Sequence, residues 1–286
     1  MAAKKSPFPV MEHMTVRLVR EYLTRKKSVI IPIGVTEQHG DHLPLATDAG
    51  IAAGISRRLG ERTGILVAPT INTSFSGGGL PGTINISPST MSLVVSDTIL
   101  SLASQGFRNV YIVLCHGGSE NALALDAALK LLLRTNPACE HVMIALLPIW
   151  KFHSPGVGWG KAFSEGDWHA GWLETSMVMA IAPELVRMED LALDTPEILA
   201  LQIRHPDNYQ RAEKIVDDEF VIPRMTQRPD ITVGVMGHPE TATKELGERL
   251  VEDSLVALVE KVSTLEARAD GVYKSVAFTP PPIILL

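Results

Sequence analysis

The stretch SVIIPIGVTEQHGDHLPLATD, residues 28–48, decides how this chain is read. Its opening, SVIIPIG, is a short apolar run rich in β-branched side chains and closed by a glycine. A strand buried on both faces of a parallel sheet reads this way, because neither face needs polar residues. The chain then turns abruptly polar, crowding Glu37, His39, Asp41, His42 and Asp48 into the next segment. Beyond Asp48, the apolar residues Ile51, Ala52, Ile55 and Leu59 recur at helical spacing, so Asp48 stands where a helix begins. In an open α/β sheet, ligands sit in the crevice beyond the carboxyl ends of the strands, and this polar loop occupies that address.

Working outward, residues 65–71, 110–115 and 141–147 are further short apolar runs that predict strands. Ser87-Pro88 is a cap-then-proline helix start, and residues 122–133 are strongly helical. Strand and helix alternate, which predicts a doubly wound α/β fold, its mostly parallel sheet flanked by helices on both faces. The 286 residues suit a single domain spanning 1–286. Residues 150–172 break the pattern with all four tryptophans and many glycines, a connection long enough to serve a site. Helical periodicity returns at Leu173, Met177, Val178 and Ile181, and again over 241–265. The tail, FTPPPIILL at 278–286, is apolar and proline-rich, which suggests packing against another subunit.

Composition removes several function classes. The 32 acidic against 26 basic residues leave a net charge of −6, without a basic footprint for nucleic acid or an anionic membrane. Cys115 and Cys139 are the only cysteines, too few for a disulfide framework or a thiolate zinc site. The first ten residues lack an apolar core of the secretory kind, and nowhere do about 18 apolar residues run together. A cytoplasmic protein is expected.

The candidate chemistry lies in three segments. Glu37 and His39 are one residue apart, so an extended backbone sends both to the same side, each toward a different ion, while Asp48 returns from the helix start to bridge them. Any one of these residues alone would serve as well to cap a helix or solvate a loop; their density favours a metal site. His116, in VLCHGG, follows another strand and is trailed by small residues that permit close approach. In DWHAGWLETS, residues 167–176, His169 stands at the mouth of a helix and Glu174 just over one turn on, so both can face one cavity. The glycine-rich GGGLPGT, residues 77–83, lacks the Lys of a phosphate loop and is expected to wall the substrate pocket through Gly78, Gly82 and Thr83. Gly117 and Trp168 are expected beside the substrate, and Trp159 and Trp172 are further candidates for flat apolar walls.

Taken in order, Glu37-x-His39, Asp48, Leu80-Pro81-Gly82-Thr83, His116-Gly117-Gly118, His169-Ala170-Gly171-x-x-Glu174-Thr175-Ser176 and Gly234-Val235-Met236-Gly237 resemble the creatininase (creatinine amidohydrolase) family from about residue 28 to 250. The resemblance implies two divalent ions per subunit (Zn²⁺, Mn²⁺ or Fe²⁺), a homo-oligomer, frequently a hexamer, and hydrolysis of a C–N bond in a small cyclic substrate. It implies Glu37 and His39 as terminal ligands, Asp48 as the bridge and His116 as the ligand opposite Glu37. Glu174 matches the carboxylate that completes the site in many members. Creatininase itself takes a carboxylate two residues after this histidine, where this chain has Gly118, so the fifth ligand stands between Glu120 and Glu174, with Glu174 favoured. A water held between the ions would be the nucleophile, and His169, unmetallated, would shuttle the proton. Hydrolysis of a C–C bond in a cyclic diketone, or isomerisation, is the alternative on the same metals.

Overall fold

The computed structural model describes residues 10–154 and 156–269. After a first helix α1 (Val16–Leu23), the core is the sequence β1 (Ser28–Ile33), α2 (Thr47–Thr63), β2 (Leu66–Val67), α3 (Pro88–Ser104), β3 (Asn109–Leu114), α4 (Ser119–Thr135) and β4 (Met143–Pro148). The strands form one parallel sheet in the order β2-β1-β3-β4. Their side chains divide by alternation. Ile30, Tyr111, Val113 and Leu147 join Ile51, Ile55 and Leu59 of α2 on one face, with later helices added. Val29, Ile31, Ile33, Val110 and Ile112 meet Met91, Val95 and Ile99 of α3 and Leu125 and Leu129 of α4 on the other. The sheet is therefore doubly wound, as the alternating pattern implies.

The strand order places the crevice. From β1 the chain crosses by α2 to β2 on one side, and from β2 it returns by α3 to β3 on the other. Strand order thus reverses between β1 and β3, and loops leaving those two strands diverge to opposite faces, opening a gap at their carboxyl ends. Register brings the strand ends level, Ile33 opposite Leu114, so the segments after them emerge side by side.

The second strand is shorter than the 65–71 run predicts. Ladder bonds run from Ala68 N to Ile30 O and from Ile71 N to Pro32 O, which leaves one extra residue in the interval. Pro32, whose N–H would point to this edge between those two bonds, has none to donate. The pairing is interrupted there and resumes as a single bridge between Ile71 and Ile33.

The rest of the chain covers the first face and the site. Helices α5 (Trp159–Ser164), α6 (Trp172–Ile181) and the long α8 (Lys244–Ala269) pack there, α6 and α8 against each other and against α2. Between them lie α7 (Pro196–Gln202) and a hairpin of β5 (Gln210–Glu213) and β6 (Arg224–Gln227). At the far end of the sheet the Glu266 carboxylate accepts from Ser28, Asn109 and Tyr111, tying α8 to β1 and β3. Among the described residues no helix is long and apolar enough to cross a membrane. The apolar tail at 278–286 lies outside the described residues.

Candidate metal centre

Glu37 and His39 leave the end of β1, Asp48 opens α2, His116 follows β3, and Glu174 lies in the first turn of α6. Gly34 makes the first convergence possible. A Cβ there would lie 2.4 Å from Ala49 N, so only glycine lets the start of α2 close onto the end of β1 and carry Asp48 over Glu37. All five side chains are buried.

The donors fall into two groups sharing one carboxylate. The Asp48 Oδ2 lies 2.9 Å from His116 Nδ1, and the Glu37 Oε2 lies 3.2 Å from the same nitrogen. The Asp48 Oδ1 lies 3.4 Å from His39 Nε2, and the Glu174 Oε2 lies 3.7 Å from it. Each group, Glu37/Asp48/His116 and His39/Asp48/Glu174, offers ligand atoms within 4.8 Å of one another. A third combination, Glu37/His39/His169, meets the same criterion. Glu37 Oε2, His39 Nε2 and His116 Nε2 are buried without a hydrogen-bond partner. Buried polar atoms are rarely left so, and three together on carboxylate and imidazole groups fit divalent ions of the Zn²⁺, Mn²⁺ or Fe²⁺ kind.

Other contacts hold the donors in place. Ser76 Oγ donates to Glu37 Oε1 at 2.6 Å, and His39 Nδ1 is 3.0 Å from the Glu37 carbonyl, turning Nε2 inward. The Ala170 amide donates to Glu174 Oε2 at 2.7 Å; Ala170 itself has a φ of 54°, a conformation that turns the chain between His169 and α6. His42, fully buried behind His39, meets Thr175 Oγ1 at 2.9 Å and links the β1 loop to α6. His169 is held by its backbone, which bridges to Met236, and by Nε2, 2.7 Å from the Gln38 carbonyl oxygen. The Gly234–Gly237 motif is thus the strip against which His169 is laid.

Charge in the metal-free site follows from this crowding. Burial would depress His39, but the carboxylates of Asp48, Glu174 and Glu37 hold it up to about 9. His116 is likewise held well above the ordinary histidine range by Glu37 and Asp48 against burial. Burial works to raise Glu37 and Asp48, yet the surrounding imidazoles pull both below the usual carboxylate range. Glu174 goes the other way, burial lifting it to about 7. His169 falls to about 4, through burial and the neighbouring charge on His39, whose ring centroid is 4.2 Å away.

These groups open into a cavity of about 370 Å³. Gly78, Gly117 and Trp168 line it as expected from sequence, and so do His169 and Glu174. Gly82 and Thr83 do not. Gly82 packs on Leu45, and the Thr83 hydroxyl accepts from the Gln38 amide, so both support the loop from behind. Trp159 and Trp172 are core residues; the aromatic walls are Trp150, Phe163 and Trp168. Glu120 is exposed at the mouth, whereas Glu174 is among the gathered donors. A Cβ at Gly118 would lie 2.5 Å from His116 Nε2, so a side chain at that position would have to displace the His116 ring. Asn121 serves the fold, its side-chain amide pairing with the backbone of Phe75. Sequence reasoning missed Tyr209 and Gln227, which come from the hairpin region and roof the cavity. No local pattern marks them. A separate surface depression along Lys161, Glu165, Trp172 and His238 shares no lining residue with this cavity.

An α/β enzyme built around a shared-carboxylate cluster of potential metal ligands is the class that this fold and site define. The chain belongs to the creatininase (creatinine amidohydrolase) family, whose model matches residues 12–262, and it is a hydrolase of that family. It is 28% identical over 256 residues to the mycofactocin precursor peptide peptidase of Mycolicibacterium smegmatis, covering 85% of this chain and 87% of the relative. It is 27% identical over 248 residues to the creatinine amidohydrolase of Pseudomonas putida, covering 82% and 88%. The crystal structure of creatinine amidohydrolase superposes with a TM-score of 0.71 at 22% identity, over 91% of this chain and 98% of the other. Solved creatininase structures include a manganese form and a Zn-Zn type.

Proposed function

We propose that the protein is a binuclear metal-dependent hydrolase that cleaves an amide C–N bond in a small cyclic substrate. The observation that carries this reading is the pair of donor triads sharing Asp48. Glu37, Asp48 and His116 would hold one ion, and His39, Asp48 and Glu174 the other. When bound, such ions polarise a carbonyl and supply a nucleophile from water near neutral pH.

The chain's own residues do the rest. His169, held with Nε2 2.7 Å from the Gln38 carbonyl, carries the proton from the attacking water to the leaving nitrogen. Trp150, Phe163 and Trp168 hold the substrate by its flat face, and Gly78 and Gly117 allow close backbone approach. The cavity volume suits a small molecule. The two relatives support amide chemistry, since one is named for hydrolysis of creatinine and the other for hydrolysis of a precursor peptide. A cytoplasmic homo-oligomer, hexameric by family resemblance, completes the proposal.

Elemental analysis of the purified protein, paired with a screen of cyclic amides, formamidopyrimidines, short peptides and cyclic ketones, tests it. Two divalent ions per chain and release of amine, ammonia or formate are expected. Absence of bound metal, or turnover of the ketones alone, sinks the proposal.

A further inference from the structure

We propose that the substrate carries a neutral oxygen, carbonyl or hydroxyl, apart from its scissile amide, and that the Tyr209 hydroxyl, with the Gln227 side-chain amide beside it, donates to that oxygen from the roof of the cavity. The proposal rests on the hydrolase reading above and adds the polar group by which the substrate is recognised.

Both residues stand at the base of the hairpin. Tyr209 ends the short turn Pro206–Tyr209, Gln227 ends β6, and the Arg228 amide donates to the Tyr209 carbonyl at 3.0 Å, holding the two segments together. Both side chains line the cavity and reach the glycine-rich loop. A Cβ at Gly77 would lie 2.5 Å from the Tyr209 hydroxyl oxygen, and the Gly79 amide donates to Gln227 Oε1. Gly78, between them, borders the metal donors. A Cβ there would lie 3.9 Å from Gln227 Oε1 and 3.9 Å from Glu37 Oε1, a separation that a small ring spans.

What the loop itself can donate is already spent. The amides of Ser76 and Gly77 go to Asn85 Oδ1, the Gly78 amide to Ser76 Oγ, and the Ser76 hydroxyl to Glu37 Oε1. The Tyr209 hydroxyl and Gln227 Nε2 are not spent: neither has a hydrogen-bond partner among the described residues. A tyrosine that only filled space would serve as well without its hydroxyl. Left unpaired at a partly buried position, that hydroxyl is a cost that a bound acceptor removes.

The surroundings select a neutral acceptor. Among the described residues that line the cavity there is no lysine and no arginine. Burial, reinforced by Glu120, Glu37 and Asp207, pushes the Tyr209 phenol up to about 12, so it keeps its proton, and the same carboxylates disfavour an anion beside it. A carbonyl or hydroxyl oxygen accepts without charge. A substrate lacking it would leave the roof donors unpaired, which is how a polar site rejects an analogue of the same shape.

Piperidine-2,5-dione and piperidin-2-one test this, one lactam with and without a second carbonyl across the ring. With the metal-loaded enzyme, the dione-to-lactam ratio of kcat/KM is expected to fall about tenfold in Tyr209→Phe. It should fall several-fold in Gln227→Glu, which keeps an acceptor for the Gly79 amide and removes the donor. A role in packing alone would lower both compounds alike, so a ratio unmoved in both variants overturns the proposal, whatever happens to the rates. If the wild type hydrolyses neither compound, equilibrium binding carries the same comparison: tighter binding of the dione that disappears in Tyr209→Phe supports the proposal, and equal affinities for wild type reject it. Failure of the hydrolase reading is separate, and shows as a two-ion protein that turns over no amide in the wider screen.

Discussion

Glu174→Gln separates what this side chain does for the fold from what it does for metal. In the metal-free protein, burial, opposed by His39 and reinforced by Asp48, lifts the Glu174 carboxyl from its ordinary 4.5 to about 7. The folded state therefore binds this proton more tightly than the unfolded chain does. Any stability linked to the group is complete below the unfolded value and is lost as pH climbs through 7. At 1.36 kcal/mol per pH unit, the loss by pH 8 reaches at most about 3 kcal/mol. Glutamine has the same shape, keeps an oxygen for the Ala170 amide and cannot ionise. Stripped of metal, Glu174→Gln should be more stable than wild type at pH 8 by about 1–3 kcal/mol and close to it at pH 4, below the ordinary value. Metal reverses the sign, because the lost charge belongs to the second donor triad. Bound ions should fall from two per chain toward one. Urea denaturation in chelator at both pH values, with elemental analysis of reloaded samples, measures both arms. A stripped variant less stable than wild type at pH 8, or one that still holds two ions, would refute the reasoning.

Asp48 belongs to both triads, so Asp48→Ala should empty both positions where His116→Ala empties one, as native mass spectrometry would count. His169→Ala should retain both ions and lose about 10²–10⁴ in turnover; loss of an ion instead would assign His169 to the third donor combination. Asp194 accepts from the amides of Thr232, Val233 and Gly234, and these pull its carboxyl below the usual range against burial. Asp194→Asn should cost about 1–3 kcal/mol at pH 7 by urea denaturation. Because the folded value is depressed, that difference should shrink as pH falls below the ordinary 3.8; a constant difference down to pH 2 would contradict the assignment.

The fold was legible because its signals are local. A β-branched run closed by glycine, then helical spacing from Asp48, is enough to imply a parallel α/β unit, and three repeats of the alternation set the winding. The break in β2 was also written in the sequence, in Pro32 with no N–H for the ladder, but its meaning depends on which strands pair. In the site, Glu37, His39, Asp48 and His116 were readable since each follows a strand end or starts the next helix. Gly82 and Thr83 were misplaced because adjacency to a glycine-rich loop does not say which side of the loop faces the cavity. Trp159 and Trp172 were offered as possible walls for the same reason, tryptophan being equally at home in a core.

The sequence alone determined which residue types could bind metal and that they lie at strand ends, since side-chain chemistry and hydrophobic period are properties of the chain. Only the tertiary structure decided that Asp48 stands between two histidines, that Glu174 rather than Glu120 joins them, and that Tyr209, Asp207 and Gln227 close the cavity. Those facts depend on distances between segments as far apart in the chain as Gln38 and Gly234, and packing, not local pattern, sets such distances.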